Sequence, residues 1–425
     1  MFLDIEYQII VSKQRERAVS AKLCDGSKTL VRADFTFTEG QPVEIARGNL
    51  REVARTTPAD PNVVELTEGA VVKGEYQPNQ AALTALLTRF GIDEQRFDRI
   101  QLSGLLWSSY LIGMEQPGRR ALFHKLAFEF ANPEHCQGAD FYYEARVISR
   151  HALGMLQSEL RLSSGDRLVG KGESWAFLLP KSPVGSVCTI ASLLPPSDIL
   201  KGKVGLVVGA SRGLGAMLTA ALALQGCTVL ANYNRSEPEA QQLTENLANA
   251  PGSVTPVKGD AANLASCQEL KARVLKEFGR LDFLICNACP SLLPLQLEPS
   301  MVGRINSYVN DALPLVSVPL SVFMDLLAEN CGWSVLLSST SVETTPKEWP
   351  HYVALKYAIE GLARVAALQY PNASFLLVRP PKLQTDLTNS PIARGSAMPT
   401  EEAAVKILQR LLRAATEHVE VLSLQ

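Results

Sequence analysis

The chain has 425 residues, of which 46% are hydrophobic and 20% are charged, and this composition is typical of soluble globular proteins with two or three domains. The net charge of −2, with no basic run, argues against nucleic acid or an anionic membrane as a partner. The acidic residues that follow Met1 do not fit a signal peptide, and the apolar run Leu102 to Met114 is too short to span a bilayer.

The eight cysteines are scattered along the chain, and several lie in apolar runs. This distribution indicates reduced, buried thiols and predicts a cytoplasmic protein. Cys286 and Cys289 have the spacing of a redox or zinc motif, but no second pair accompanies them. The sequence therefore predicts no metal site.

Residues 1 to about 75 alternate between polar and apolar positions, which predicts an antiparallel, half-exposed sheet with a turn at Asp25-Gly26. The apolar positions that share one side of a strand are Ile5, Tyr7, Ile9 and Val11, followed by Ala33, Phe35 and Phe37. A short amphipathic helix is predicted from Asn79 to Phe90.

The stretch Phe97 to Met114 is apolar almost all round beyond its first few residues, so it predicts a helix wrapped by protein. Pro117-Gly118 ends this helix. Alternating segments after it predict four strands, at Ala121–Phe130, Phe141–Ser149, Gly154–Leu162 and Arg167–Leu178.

A buried helix followed by antiparallel strands resembles the hot-dog fold. Gly-Met-x-x-Pro-Gly, then Asn132-Pro133 and then Gly138-Ala139-Asp140 are similar to the second half of MaoC-type enoyl hydratases. The earlier strands could complete a second, degenerate hot-dog unit. The resemblance implies an α+β hot-dog-like domain over residues 1–180 that binds an acyl chain or dimerises.

A hydratase of this type needs an Asp/His pair before the buried helix. Asp93 and Asp98 lie in roughly that place, but no histidine precedes His124. His124, His135 and His151 lie on or near strands, where a structural role is the better default. We therefore expect a non-catalytic domain rather than a working dehydratase.

Residues 181–202 are rich in proline and small residues and are predicted to be a linker. From Lys203 to the C-terminus at residue 425, strands and helices alternate, which predicts a Rossmann-type, doubly wound parallel sheet. The strands are predicted at 204–208, 228–232, 254–258, 282–286, 334–338, 374–379 and 419–423. The helices between them include 236–249, 264–278, 300–312, 314–329 and 400–416.

Right-handed crossovers place the ligand crevice at the carboxyl ends of such strands. The candidate residues that directly follow strands at this edge are Gly209, Asp260, Asn287, Ser339 and Thr385. Their convergence on one edge is a stronger signal than any single motif.

A glycine turn joins the first of these strands to a helix, with the spacing Gly209-x-x-x-Gly213-x-Gly215. The first glycine permits a tight turn, the second lets a pyrophosphate approach the backbone, and the third lets the helix pack on the strand. The free N–H groups of the helix N-terminus suit an anion. A purely structural turn remains the alternative.

Tyr352 and Lys356 are four residues apart in a predicted helix from Trp349 to Tyr370, so they share a helix face. Ser338 and Ser339 end an apolar strand just upstream. A phenol, an ammonium group and a serine hydroxyl together fit a proton-donating site, since a nearby cation favours the ionised phenol.

Residues 200 to 425 resemble the classical short-chain dehydrogenase/reductases, and closely the β-ketoacyl carrier-protein reductase branch. Ser339 precedes Tyr352 by 13 positions, which is the usual family separation and favours it over Ser338. The resemblance implies the catalytic residues Ser339, Tyr352, Lys356 and Asn310. It implies cofactor contacts from Gly209, Ser211, Arg212, Gly213, Leu214, Gly215, Asn232, Arg235, Ser236, Asp260, Ala261, Asn287, Ala288, Tyr352, Lys356 and Thr385.

The family mechanism implies that Tyr352 donates a proton to a carbonyl oxygen that Ser339 binds. Lys356 would favour the ionised phenol and hold the ribose hydroxyls, and Asn310 would support a water chain. Cys286, Cys289 and Pro381 depart from the family pattern, but no departure removes a reacting group. We therefore expect activity.

The resemblance implies a ketoreductase that acts on a β-ketoacyl thioester, bound to CoA or to an acyl carrier protein, in polyketide or specialised fatty-acid synthesis. The alternatives are a bifunctional ketoreductase–dehydratase and a non-enzymatic acyl-binding scaffold. A homo-oligomer, either a dimer or a tetramer, is also expected.

The expected cofactor is NADPH. No acidic residue follows the second strand until Glu237, whereas Arg235 and Ser236 lie there and Arg212 lies in the glycine turn. Guanidinium groups suit a 2′-phosphate, and an acid would suit the 2′-hydroxyl of NADH. The alternative is that both arginines are ordinary surface residues.

Overall fold

The structure is a computed structural model that describes residues 8–15, 18–25, 28–36, 58–60, 66–79, 81, 83–85, 88, 99–131, 140–151, 154–179, 184–292, 294–388 and 396–424. Several residues of the sequence predictions lie outside these ranges, namely Ile5, Tyr7, Gly26, Phe37, Phe90, Asp93, Phe97, Asp98, Asn132, Pro133, His135, Gly138 and Ala139. In the predicted helix Asn79–Phe90, the described residues 81, 83–85 and 88 are helical.

A three-stranded antiparallel sheet opens the described chain. It consists of β1 (Gln8–Arg15), β2 (Ala18–Asp25) and β3 (Lys28–Thr36), in that order. The register pairs Asp25 with Lys28, the described residues on either side of the predicted turn. Apolar side chains such as Val11 and Val31 remain exposed, as expected for a half-exposed sheet.

A five-stranded antiparallel sheet follows, with a helix between its first two strands. The strands are β4 (Val71–Tyr76), β5 (Ala121–Phe130), β6 (Phe141–Arg150), β7 (Met155–Ser164) and β8 (Arg167–Leu178), in the spatial order β4-β6-β7-β8-β5. The helix is α1 (Arg99–Tyr110), which continues into a π-helical turn at Leu111–Glu115. The four strands predicted after this helix are therefore confirmed, with shifts of one or two residues at the ends of two of them.

Helix α1 buries only one side, which corrects the prediction of a helix surrounded by protein. Trp107 is fully buried and packs against Phe141 of β6, whereas Leu105 and Leu106 are 40% and 38% exposed. Gly104 allows the close approach to the sheet, because a Cβ there would lie 2.8 Å from the Phe130 ring. The uniform apolar sequence gave no sign of which side would be buried.

The C-terminal half contains a seven-stranded parallel sheet, as predicted. Its strands are β9 (Val204–Val208), β10 (Thr228–Tyr233), β11 (Ser253–Lys258), β12 (Phe283–Cys286), β13 (Trp333–Leu337), β14 (Ser374–Arg379) and β15 (Val419–Ser423). The spatial order is β11-β10-β9-β12-β13-β14-β15, so the order reverses beside β9. A ligand crevice is expected at this reversal, at the carboxyl ends of β9 and β12.

Helices cover both faces of this sheet. Helix α2 (Val187–Leu193) precedes the sheet, and the helices that follow are α3 (Gly213–Leu224), α4 (Glu237–Asn246), α5 (Leu264–Glu277), α6 (Val302–Ala312), α7 (Pro314–Glu329), α8 (Ser341–Thr344), α9 (Pro350–Gln369) and α10 (Thr400–Leu411). One buried apolar cluster joins α3 and α10 to the sheet, and another joins α7 and α9 to it. The predicted helix 400–416 is shorter than expected, and a 3₁₀ turn at Pro299–Met301 forms the start of the predicted helix 300–312.

Helix α2 lies within the predicted linker, which is a second correction. Ser186 caps this helix by accepting a hydrogen bond from the Thr189 N–H, and Ile190 is fully buried in the cluster that contains α3 and α10. The Ser186 N–H also donates to Glu401 at 2.9 Å. This part of the predicted linker is thus a packed element of the parallel-sheet unit, although its proline content suggested an open connection.

Residues 299–329 form the one segment, among the described residues, that is long and apolar enough to cross a membrane by length and composition. Half of its apolar window is buried in the protein, and α7 packs against β12 and β13. The burial and the packing fit a core helix of the parallel-sheet unit. The segment is longer than Leu102–Met114, the run considered from sequence.

Candidate active site

The glycine turn after β9 has the backbone geometry that only glycine adopts without strain. Gly209 and Gly213 have φ of 75° and 58°. A Cβ at Gly209 would lie 2.8 Å from the Ala288 Cα, and a Cβ at Gly215 would clash with the carbonyl oxygen of Gly209. The turn therefore brings β9, α3 and the loop after β12 into direct backbone contact.

The N-terminus of α3 is suited to an anion. Arg212 occupies the N-cap position without a side-chain capping hydrogen bond, and no acidic residue lies in the first turn. The first-turn N–H groups, from Gly213 to Gly215, therefore have no capping partner among the described side chains, and they carry the positive end of the helix dipole. The residues present fit the pyrophosphate of a dinucleotide.

The loops after the neighbouring strands complete the crevice. The Asn287 side chain donates to the Gly209 carbonyl at 3.0 Å and so fixes the turn. Asp260 is exposed and accepts a hydrogen bond from the Ala262 N–H. Asn232, Asp260 and Ala261 contribute to the lining of a small cavity that β9, α5 and α7 also border.

Asn232 is buried, and its amide nitrogen makes its hydrogen bonds within the protein. Its amide donates to the carbonyls of Val257 and Gly259, at 3.3 and 3.0 Å, and so holds the loop that carries Asp260. Asn232 therefore positions that loop, and its direct contact with a cofactor stays a prediction.

The predicted phosphate-binding arginines lie in different settings. Arg235 is exposed and makes no ion pair with a described residue, and Ser236 sits beside it at the N-cap of α4. Arg212 forms an exposed ion pair with Asp386, at 3.1 Å. Thr385, the neighbour of Asp386, lies over Gly213, because a Cβ on that glycine would be 3.2 Å from the threonine methyl.

Tyr352 and Lys356 lie together at the carboxyl end of β13, and Ser339 follows the same strand. Lys356 is buried and donates to the Leu337 carbonyl at 2.6 Å, and its ammonium lies 5.2 Å from the centroid of the Tyr352 ring. Ser339 follows Leu337 by two residues and shares hydrogen bonds with Ser341. A partly exposed phenol thus lies beside a buried ammonium, which is the arrangement a general acid requires.

Ser338 has a structural role. It is buried, and its hydroxyl donates to Glu360 at 2.7 Å. Glu360 also accepts two hydrogen bonds from Arg379, at 2.8 and 2.7 Å. Burial raises the pKa of Glu360, but the hydrogen bonds from Arg379 and Ser338 outweigh it, so the carboxyl pKa lies below its ordinary value. This network ties β13, α9 and β14 together directly behind Ser339.

Asn310 does not join the Tyr–Lys pair in this structure. It is exposed near the end of α6 and makes no hydrogen bond to Lys356. The face of α6 that approaches the site carries Tyr308, whose hydroxyl lies 3.5 Å from the Cys289 thiol. Its ring meets His351 edge-on, with centroids 4.5 Å apart. Sequence reasoning missed Tyr308 and His351, and only the position of His351 beside Tyr352 could have suggested one of them.

The departures from the family pattern fit the structure. Cys286 is buried, and burial raises the pKa of its thiol to about 12. Cys289 is half-buried, and Pro381 follows β14 without interrupting the sheet. All cysteines of the described part of the chain are free thiols, and no group of metal-binding side chains occurs there.

Comparisons with known proteins agree with this site. The family model for short chain dehydrogenases matches residues 203–394. A hydroxynaphthalene reductase-like protein Arp2 from Metarhizium brunneum is 33% identical over 191 residues, which are 44% of this chain and 71% of the relative. The hydroxynaphthalene reductase arp2 of Aspergillus fumigatus is 27% identical over 175 residues, which are 40% of this chain and 62% of the relative.

A solved structure of an alcohol dehydrogenase from Thermococcus sibiricus, complexed with 5-hydroxy-NADP, is 24% identical. It covers 52% of this chain and 95% of its own, with a TM-score of 0.46. The family model matches residues 203–394, and this region contains the site at the ends of β9 and β13. The Metarhizium relative is 33% identical over 191 residues. Through that region, the chain belongs to the short-chain dehydrogenase family and is an oxidoreductase that uses a nicotinamide cofactor.

Proposed function

We propose that the protein is an NADPH-dependent ketoreductase that reduces a β-ketoacyl thioester to the β-hydroxyacyl thioester. The observation that carries the proposal is the buried Lys356 ammonium, 5.2 Å from the ring centroid of a partly exposed Tyr352. This pair lies at the same sheet edge as the uncapped glycine helix. A proton donor and an anion site on one crevice suit carbonyl reduction.

Each residue of the site would have a distinct role in the reduction of the carbonyl. Tyr352 would donate its hydroxyl proton to the carbonyl oxygen, and Lys356 would stabilise the phenolate that remains. Ser339 would orient the carbonyl oxygen by a hydrogen bond. Reduced nicotinamide, when bound, supplies the hydride. The first turn of α3 would hold the pyrophosphate, and Asp260 would hold the adenine end.

The preference for NADPH rests on the exposed guanidinium of Arg235 and on the absence of an acid directly after β10. Arg212 would contribute after exchanging its ion pair with Asp386 for the phosphate. An exposed ion pair contributes only about 0–1 kcal/mol, so this exchange costs little.

The thioester substrate is supported by the N-terminal half of the chain. A helix packed on a five-stranded antiparallel sheet supports the hot-dog-like interpretation of residues 1–180, and the resemblance links such a domain to acyl thioesters. The link between this domain and the substrate is an analogy of fold.

A second candidate substrate comes from the names of the relatives. Two of them are described as hydroxynaphthalene reductases or reductase-like proteins, so a fused-ring hydroxyketone is the alternative to the thioester.

We propose that the N-terminal domain is not a working dehydratase. His124 is exposed and contacts the Phe177 ring, and His151 hydrogen-bonds to Ser149, so neither pairs with an acid among the described residues. A bifunctional reductase–dehydratase is therefore less well supported. A non-enzymatic scaffold is opposed by the assembled Tyr352–Lys356 pair.

A homo-oligomer is supported by an apolar surface on α9. Tyr357, Val365 and Leu368 lie on one face of this helix and are 53%, 55% and 85% exposed. Burial of such a face against a second copy removes apolar area from water.

The purified full-length protein, incubated with NADPH and a panel of β-ketoacyl thioesters and fused-ring hydroxyketones, tests the proposal. We expect Tyr352→Phe to lose nearly all turnover, because the proton donor is removed, while the Kd for NADPH stays within about twofold of wild type. Turnover of Tyr352→Phe within a few-fold of wild type would contradict the assignment.

A further inference from the structure

Tyr308 places a second phenol beside the general acid. It lies on α6, and its hydroxyl is 3.5 Å from the thiol of Cys289, in the loop after β12. That loop also carries Asn287, which fixes the glycine turn. Tyr308 is therefore next to the loop that borders the cofactor site, and it is half-buried rather than enclosed.

His351 packs against the ring of Tyr308. It is fully buried, immediately precedes Tyr352, and meets the Tyr308 ring edge-on at 4.5 Å. Burial, together with the charge of Arg304, lowers the pKa of the imidazole, so His351 is neutral at working pH. Because neither ring nitrogen has a hydrogen-bond partner among the described residues, this histidine acts here as an apolar support for the ring.

The two phenols lie in environments that suit different roles. Burial, and then the neighbouring Cys289 and Tyr352, raise the pKa of Tyr308, so its hydroxyl stays protonated and can only share its proton. Tyr352 instead has the Lys356 ammonium at 5.2 Å from the centroid of its ring. The two phenols thus have different neighbours, a thiol for Tyr308 and an ammonium for Tyr352, and this difference suits different roles in one reaction.

The Tyr308 hydroxyl has a free capacity for hydrogen bonding. Its partner among the described residues is the Cys289 sulfur, and a thiol is a weak hydrogen-bond acceptor. A half-buried phenol with only a weak partner can donate to a ligand oxygen without breaking a strong bond. A ketone with one oxygen would use Tyr352 and Ser339 alone.

We propose that Tyr308 is a specificity-determining residue that donates a hydrogen bond to a second substrate oxygen, close to the carbonyl that Tyr352 protonates. The proposal rests on the proposed ketoreductase function and narrows its substrates to ketones with a neighbouring oxygen function. The thioester carbonyl of a β-ketoacyl thioester is such an oxygen. The phenol donates, and the substrate oxygen accepts.

Two matched probes differ only in this oxygen. One is acetoacetyl N-acetylcysteamine thioester, and the other is the 3-oxobutyl thioether, in which a CH₂ replaces the thioester carbonyl. We expect Tyr308→Phe to lower kcat/KM for the thioester by about tenfold and for the thioether by less than twofold, since a lost neutral hydrogen bond has an effect of this size. The phenylalanine keeps the ring contact with His351.

Tyr370→Phe is the control variant, because Tyr370 is a partly buried tyrosine just beyond the far end of α9. It should change neither value. Equal losses on both probes, or no loss on either, would overturn the role of Tyr308 while the ketoreductase function stands. Failure of the wild-type protein to reduce both probes and every ketone of the wider panel would overturn the ketoreductase function, and this inference with it.

Discussion

Replacement of Glu360 by glutamine tests the ion-pair network behind the active site. Glu360 is 1% exposed and receives two hydrogen bonds from Arg379 and one from Ser338. Removing one partner of a buried ion pair costs about 3–5 kcal/mol, because the other charge is left without compensation. Arg379 keeps a second carboxylate, Glu343, at 2.8 Å. We therefore expect Glu360→Gln to lower the free energy of unfolding by about 2–3 kcal/mol, which is less than the usual cost of removing one partner of a buried ion pair.

The matched control is Glu277→Gln. Glu277 also pairs with an arginine, at 2.8 Å, but both side chains are 40% exposed. The loss should be below about 0.5 kcal/mol. The measurement is hydrogen exchange by mass spectrometry at increasing urea concentration. Peptides from β13 and β14 give the free energy of unfolding of the parallel sheet, separately from that of the N-terminal domain.

The effect of Glu360→Gln should depend on pH in a defined direction. Because the folded pKa of Glu360 lies below its ordinary value, the stabilising contribution is complete above the ordinary glutamate pKa and is lost as the pH falls through the folded one. The difference between wild type and variant should thus be constant from neutral pH to about pH 5 and shrink below that. A loss no larger than that of Glu277→Gln, or a difference that grows on acidification, would refute the reasoning.

Three further predictions concern the cofactor, the N-terminal domain and the partner. In a titration, the double change Arg212→Ala with Arg235→Ala should weaken NADPH binding by about 2–4 kcal/mol and leave NADH binding nearly unchanged. Asp386→Asn frees Arg212 from its ion pair and should tighten NADPH binding up to about fivefold. Equal losses for both cofactors would show that the phosphate site is misplaced. The full-length protein should not hydrate enoyl thioesters, and hydration that is lost on replacing His124 would contradict this. Leu368→Glu should reduce the molar mass measured by light scattering to that of one chain, and an unchanged assembly would place the interface elsewhere.

The sequence alone predicted the elements of the parallel sheet. The central strands β9 and β12 are buried at every position, so each appears in the sequence as a continuous apolar run. The helices between the strands show the helical repeat of apolar residues instead. The glycine turn and the Tyr352–Lys356 pair were equally readable, because a tight turn and a shared helix face depend only on residues close in sequence. Even the antiparallel strands from Ala121 to Leu178 were found within about two residues.

Contacts between elements were decided by the tertiary structure. Arg212 and Asp386 are 174 residues apart, and Ser338 meets Glu360 only because α9 packs against β13. The same holds for the buried side of α1 and for α2 in the predicted linker, where the sequence pattern fits more than one packing. Tyr308 and Cys289 could not be paired from sequence, since a tyrosine on a helix and a cysteine in a loop have no periodicity that joins them. Local sequence patterns determine each helix or strand, because its backbone hydrogen bonds and its periodicity involve residues close in sequence. The neighbours of a side chain depend instead on how the elements pack on the sheet.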